Sequence, residues 1–368
     1  MENHKKSKYQ VRKSKLHSEL EKFLDSIGSS LFSCTPREIC LFLAWSDQQG
    51  KTVIHLTSCD QMGKKKPMCQ CPRRLAYGTV ASKISQLKAI FESIGRLDSP
   101  ISEEVFIYLN QIRVEQSIAH VMPLQAKPIF LKKLLLISMY LDRQLSKDLS
   151  FEKKFIYLRD QALFKLMFFS GDRGHDVGIM LAQEIKLLPD KSGFLIRHTY
   201  GKTHRVDNPN VFTIFKCPNE TICPVKALEL YVQESSKIGV DLHTGYLFRP
   251  LVNKIVSNVP LSYEAIYSRL KWYLNELDIN EGETPHSFRG GCAITFGQEK
   301  SSSSLPDIMQ HVGWNSETSA NHYSRNTRLS QAANMSQAMS QWLGGVSYLE
   351  AGSADKGFIE ESDLKTAF

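Results

Sequence analysis

The chain has 368 residues, 42% of them hydrophobic and 23% charged, with a formal net charge of +8. That length allows two or three domains with a sizeable core, and the composition is that of a globular protein, not a disordered or fibrous one. The positive excess is compatible with an anionic partner without requiring one. No apolar run approaches the ~20 residues of a membrane span, and the basic N-terminus lacks the apolar core of a secretory signal. Even "FLKKLLLISMYL" is interrupted by Lys132 and Lys133. Eight cysteines in a chain of this length do not form a disulfide scaffold. An intracellular protein with no membrane partner is expected.

In chain order, residues 1–15 read as a flexible basic arm, with Lys5, Lys6, Lys8, Arg12, Lys13 and Lys15 against Glu2 alone. Leu20, Phe23, Leu24 and Ile27 recur at helical spacing and stop at Gly28. Thr35, Pro36 and Glu38 form a capping box with proline at the first helical position. Residues 50–75 have no helical period and read as a compact insert. Two further helices complete a four-helix unit over 16–122, and the two prolines of "VMPLQAKP" mark a linker at 123–128. A second unit is expected over 129–345. It opens with helices at about 129–143 and 153–169. Alternation from Glu184 to Cys217, turning at Asp190–Gly193, predicts a small antiparallel sheet. Four more helices follow, the last capped by Ser304 and Asp307 around Pro306. Residues 346–368 read as an irregular tail. The fold class is mainly α with a small antiparallel β-sheet.

The insert carries His55, Cys59, Cys69 and Cys71, an H-x3-C pair followed by C-x-C. Imidazole and thiolates are zinc ligands, and four of them close a structural tetrahedron. The spacing is not the usual C-x2-C knuckle, so reduced thiols with a loose histidine are the alternative. Composition favours a metal. The segment has too few apolar residues to order itself by burial, and a bound metal supplies that folding energy. Cys217 and Cys223 lack histidine partners and read as structural. The insert also holds Lys64, Lys65, Lys66, Arg73 and Arg74 with no acid between them. Such a cluster is either a solvated face or a set of contacts to nucleic-acid phosphates.

Cleaving a phosphodiester requires cations on the non-bridging oxygens, a nucleophile, and groups to move two protons. Arginine suits the first task because its fork matches phosphate and stays charged. Tyrosine suits the second when the bond energy must be kept, since a hydroxyl can reverse the ester. "SGDRGHDVGIML", "TYGKTHR", "TPHSFRGGCAITF" and "MQHVGWNSETSANHYSR" occur in that order. Together they resemble the boxes of the tyrosine recombinase (phage-type integrase) family over about 129–345. The resemblance implies an α+β catalytic domain in which Arg173 and Arg289 hold the phosphate and Asp176 steadies Arg173. It further implies that His286 assists the tyrosine proton, Lys202 protonates the leaving 5′ oxygen, Trp314 buttresses the site and Tyr323 attacks. Lys191 and Arg205 are near Lys202 in sequence and compete for its role. His311 and His322 read as polar surface residues. Asp172 stands where bacterial members usually carry an apolar residue; its carboxylate either weakens the clamp or points away.

The segment from Val53 to Ser93 is similar to the ALOG domain, a four-helix DNA-binding module with a zinc-ribbon insert, and the resemblance covers about 16–122. Such modules precede tyrosine recombinases in DIRS-type retrotransposons. The resemblance implies zinc on His55, Cys59, Cys69 and Cys71. For the whole chain it implies metal-independent strand cleavage and rejoining on double-stranded DNA, by a homo-oligomer assembled on paired sites of a mobile element. The location implied is the nucleus in a eukaryote and otherwise the cytoplasm. The rival is a domesticated DNA-binding regulator without catalysis, and the complete set of boxes argues against it. A relaxing topoisomerase would share the chemistry, and the N-terminal module argues against that.

Overall fold

The computed structural model describes residues 8–62, 68–96, 98–121, 126–201, 206–298, 304–314 and 316–317. Lys64, Lys65, Lys66, Lys202 and Tyr323, singled out above, lie outside the described residues. The chain divides into two compact units, residues 1–124 and 125–368. It is mainly helical with small antiparallel sheets. No helix among the described residues is long and apolar enough to cross a membrane.

In the first unit, α1 (Lys8–Ser26), α2 (Pro36–Asp47), α3 (Tyr77–Ser93) and α4 (Glu103–Ile118) enclose Leu20, Leu24, Phe42, Leu87, Phe91 and Ile112. The helix α1 begins earlier than expected, so Arg12, Lys13 and Lys15 are helical and do not belong to a flexible arm. Buried Leu16 extends the stripe of Leu20 and Leu24 back by one turn. Lys13 Nζ also donates to the Ala89 carbonyl on α3 at 2.9 Å. The Lys- and Arg-rich start forms helix readily once that packing holds it. The α2 cap is as expected: Thr35 N–H donates to Glu38 Oε2 at 2.6 Å, and Glu38 N–H donates to Thr35 Oγ1 at 3.3 Å. In the insert, β1 (Thr52–Val53) pairs antiparallel with β2 (Arg73–Arg74) and closes its two ends together.

The second unit is built on α6 (Phe151–Ser170), whose Leu163, Leu166 and Met167 are fully buried. A helix apolar on most sides belongs in a core. It packs against α5 (Leu131–Leu145), α8 (Pro224–Lys237) and α10 (His286–Gln298). The short α7 (Gly174–Gly178) follows α6. The sheet has the order β3 (Ile185–Leu187), β4 (Gly193–His198), β5 (Asn210–Phe215), antiparallel throughout. Alternation buries Ile196 and His198 on β4, and Asn210, Phe212 and Ile214 on β5. A small hairpin, β6 (Leu251–Val252) with β7 (Ile255–Val256), precedes α9 (Tyr263–Glu276), and α11 (Leu305–Val312) follows α10. Ser304 and Asp307 cap α11 as the sequence indicated.

Candidate active site and metal centre

Gly171 ends α6 in the left-handed region, at φ 64°, which glycine adopts without steric cost. A side-chain carbon there would lie 3.0 Å from both Cys292 Sγ and a Val312 methyl, so α10 and α11 close directly over the turn. At Gly174 an added carbon would lie 2.8 Å from Pro285 Cβ. The two glycines that flank Asp172 and Arg173 therefore admit the residue before His286 and the residue two before Trp314.

Arg289, on α10, is 1% exposed. Its Nη1 donates to the Gly171 carbonyl at 2.8 Å and to the Val312 carbonyl at 2.7 Å. Its guanidinium lies over the Trp314 ring, 5.1 Å from the centroid, and Trp314 is itself buried. One side chain thus joins the first arginine box, its own helix and the segment that leads to Tyr323. Two carbonyls and an aromatic face fix the plane of the guanidinium.

Arg173 is the N-cap residue of α7, and its Nη1 contacts Asp176 Oδ2 at 3.2 Å. Asp176 is 1% exposed and steadies a guanidinium that is itself only partly buried. His175 Nδ1 lies 3.5 Å from the other Asp176 oxygen. His286 opens α10 and is exposed, one turn before Arg289. The structure thus pairs Arg173 with Asp176 and Arg289 with Trp314, and packs the turn that carries Arg173 against the start of α10, where His286 stands, and the end of α11.

Two further groups escaped the sequence reading. Asp172 hydrogen-bonds His198 Nδ1 at 3.1 Å, with both side chains fully buried. Burial opposes a charge on His198. The hydrogen bond and charge of Asp172, with Glu184 and Asp176 nearby, outweigh it and hold the imidazole pKa above its ordinary value. No motif marked His198; the only signal was a polar residue at an inward position of a strand. His311, read as a polar surface residue, is half-buried. Its Nε2 lies 2.7 Å from the Phe169 carbonyl, and its ring packs against Phe212 and Phe296. Cys223 is structural as expected: its Sγ accepts from Lys226 N–H at the start of α8.

In the first unit, the ligand atoms of His55, Cys59, Cys69 and Cys71 all lie within 4.8 Å of one another. His55 Nδ1 is 3.3 Å from Cys59 Sγ and 3.5 Å from Cys69 Sγ. A tetrahedral ion with bonds of ~2.0 Å to nitrogen and ~2.3 Å to sulfur has N–S edges of about 3.5 Å. The donor set and its spacing fit a bound metal. Of the basic residues at the end of the insert, Arg73 is exposed. Arg74 is half-buried, pairs with Glu115 at 2.8 Å and lies 3.7 Å from buried Asp47. A two-residue strand against β1 turns alternate side chains to opposite sides, which separates the two arginines.

Residues 1–114 match the ALOG domain family. Protein LIGHT-DEPENDENT SHORT HYPOCOTYLS 5 of Arabidopsis thaliana is 34% identical over 104 residues, which is 27% of this chain and 57% of that protein. Protein G1-like9 of Oryza sativa subsp. japonica is 35% identical over 99 residues, 26% of this chain and 35% of that protein. The matched stretch spans about half or less of these relatives. In fold, the chain is similar to the Tn1549 transposon integrase in complex with transposon right end DNA. That likeness covers 91% of this chain and 95% of that one, with a TM-score of 0.52 and 11% identity. The same integrase in complex with circular intermediate DNA gives 87% and 90%, with a TM-score of 0.51 and 11% identity. At that identity the likeness shows a fold shared with that integrase and no more.

Proposed function

We propose that this chain, an ALOG domain followed by a unit of tyrosine recombinase fold, cleaves and rejoins DNA strands through a tyrosine ester. The observation that carries the reading is Arg289. Its hydrogen bonds to Gly171 and Val312, residues 118 and 23 positions away, and its stacking on Trp314 link segments of three of the four boxes, which supports the reading.

In this reading Arg173 and Arg289 hold the non-bridging oxygens of a scissile phosphate and stabilise the charge that grows there. The Tyr323 hydroxyl attacks phosphorus, and His286 assists removal of its proton. The bond to the 5′ oxygen breaks, with Lys202 supplying the proton, and a 3′-phosphotyrosine forms. A 5′ hydroxyl from a second strand then attacks the ester and regenerates Tyr323. Phosphodiester and phosphotyrosine are close in energy, so the exchange draws on no ATP. The partner is double-stranded DNA, held by several protomers on paired sites, and the natural setting is a mobile element working where DNA is housed. In the ALOG domain, His55, Cys59, Cys69 and Cys71 hold a structural zinc that orders the insert.

The test uses pools of nicked duplexes, denaturant-stable protein–DNA adducts and sequencing of the attached strands. Wild type forms adducts, while Tyr323→Phe binds DNA with unchanged affinity and forms none. An adduct on the Phe variant would mean that another residue attacks. DNA binding by the wild type without any adduct would replace this reading with that of a non-catalytic regulator.

A further inference from the structure

Asp172 directly precedes Arg173, and its carboxylate meets His198 at the end of β4. The contact is 3.1 Å, with both side chains fully buried. It is one link in a closed circuit. His198 pairs in register with Asn210 on β5. Asn210 Nδ2 donates to the His311 carbonyl at 3.4 Å. The His311 ring meets the Phe169 carbonyl at 2.7 Å, at the end of the helix whose next turn carries Asp172. Beside this circuit, the Thr199 N–H and hydroxyl donate to Glu184 Oε1 at 2.6 and 2.5 Å. Glu184 Oε2 accepts from Leu181 N–H at 2.8 Å.

A buried carboxylate–imidazole pair is a costly way to obtain stability, since apolar residues of similar volume usually serve as well. What the pair adds is direction. A charge-assisted hydrogen bond fixes an angle and a distance that apolar contacts leave loose. The geometry points to Asp172 and His198 as positioning residues that lock the turn presenting Arg173 against the end of the sheet. From there the chain runs on to Lys202, four residues past His198. The catalytic consequence rests on the strand-transfer reading; the mechanical consequence does not.

Two readouts separate these. The first is hydrogen exchange of residues 171–178 and 198–201 in the full chain without DNA. Asp172→Ala raises exchange in both segments together, while the side-chain carbonyl of Asp172→Asn still accepts from the imidazole and restores most of the protection. The second is single-turnover cleavage at saturating protein. Asp172→Ala slows it by about 10- to 100-fold, the scale of a small misplacement of a clamp, and leaves DNA affinity within about twofold. The Asn variant recovers most of that rate. Unchanged exchange in a folded Asp172→Ala protein overturns the inference, as does a rate loss matched by an equal loss of affinity. If Asp172→Ala does not fold, His198→Gln, which alters the other end of the same contact, must raise exchange in 171–178 and 198–201 together; unchanged protection there overturns the inference equally. A wild type that forms no adduct defeats strand transfer and leaves the exchange result standing.

Discussion

Lys165 shows how far a single residue can depart from what its type suggests. It sits on α6 only 2% exposed, beside a cavity of about 190 Å³ lined also by Asp142, Gln161, Thr221 and Lys226. Burial pushes its pKa down to about 8, against the pull of Asp142. The folded chain then releases this proton more readily than the unfolded chain, so the group contributes least below pH 8. Stability rises with pH from there towards 10.5, the value taken for the unfolded chain. The drop corresponds to roughly 3 kcal/mol at about 1.4 kcal/mol per pH unit. Lys165→Met is expected to stabilise the second unit by about 1–3 kcal/mol at pH 7. The advantage should shrink as pH rises through 8 to 10. Thermal melts at three pH values check this, and a destabilised Met variant at pH 7 would contradict it. Arg173, Asp176, His286, Arg289 and Trp314 were legible through the order of boxes that resemble a known family, not by residue type alone, and of these Arg289 is tied by contacts to the turn before Arg173 and to Trp314. Lys165 and His198 were not legible, since nothing in a local sequence tells a buried polar residue from an exposed one.

At the scale of elements, local chemistry was readable wherever it is local. The caps at Thr35 and Ser304 depend on side chains three residues apart, and the sequence states them outright. The start of α1 depends on Lys13 reaching a helix 76 residues away, which no window on the sequence contains. The insert lies between these cases. Its two-residue strands are too short to hold it, and the ligand set was visible while its closure was not. If zinc supplies the folding energy, the purified protein carries about one zinc per chain, the count of one closed tetrahedral site. Cys69→Ser should lose that zinc and open residues 50–75 to proteolysis, with the four helices still folded around Phe42 and Leu87. Elemental analysis with limited proteolysis decides it; wild type free of zinc, or a Ser variant that keeps it, would defeat the metal reading.

At the scale of the whole molecule, the net charge of +8 says little until the basic residues are sorted by what they already hold. Lys13 donates to the neutral Ala89 carbonyl and keeps its charge, whereas the charge of Arg74 is already paired with Glu115. Arg73 is exposed. Lys64, Lys65 and Lys66 lie outside the described residues, and they belong to an insert remote in sequence from the catalytic boxes. If these lysines neutralise backbone phosphates, removing one such charge pair lowers the slope of log affinity against log salt by about 0.9. Replacing all three by alanine should flatten that slope by roughly 2–3 and weaken binding on every DNA sequence alike. Arg74→Ala should leave the slope nearly unchanged and lower the melting temperature instead, because it removes the partner of Glu115 and uncovers buried Asp47. Cleavage by saturated complexes should survive the triple replacement, since the transition-state interactions assigned to Arg173 and Arg289 remain. Binding at several salt concentrations, with single-turnover cleavage at saturating protein, measures both. An unchanged slope would make the lysines a solvated face, and a collapse of the saturated rate would give the insert a part in building the active site.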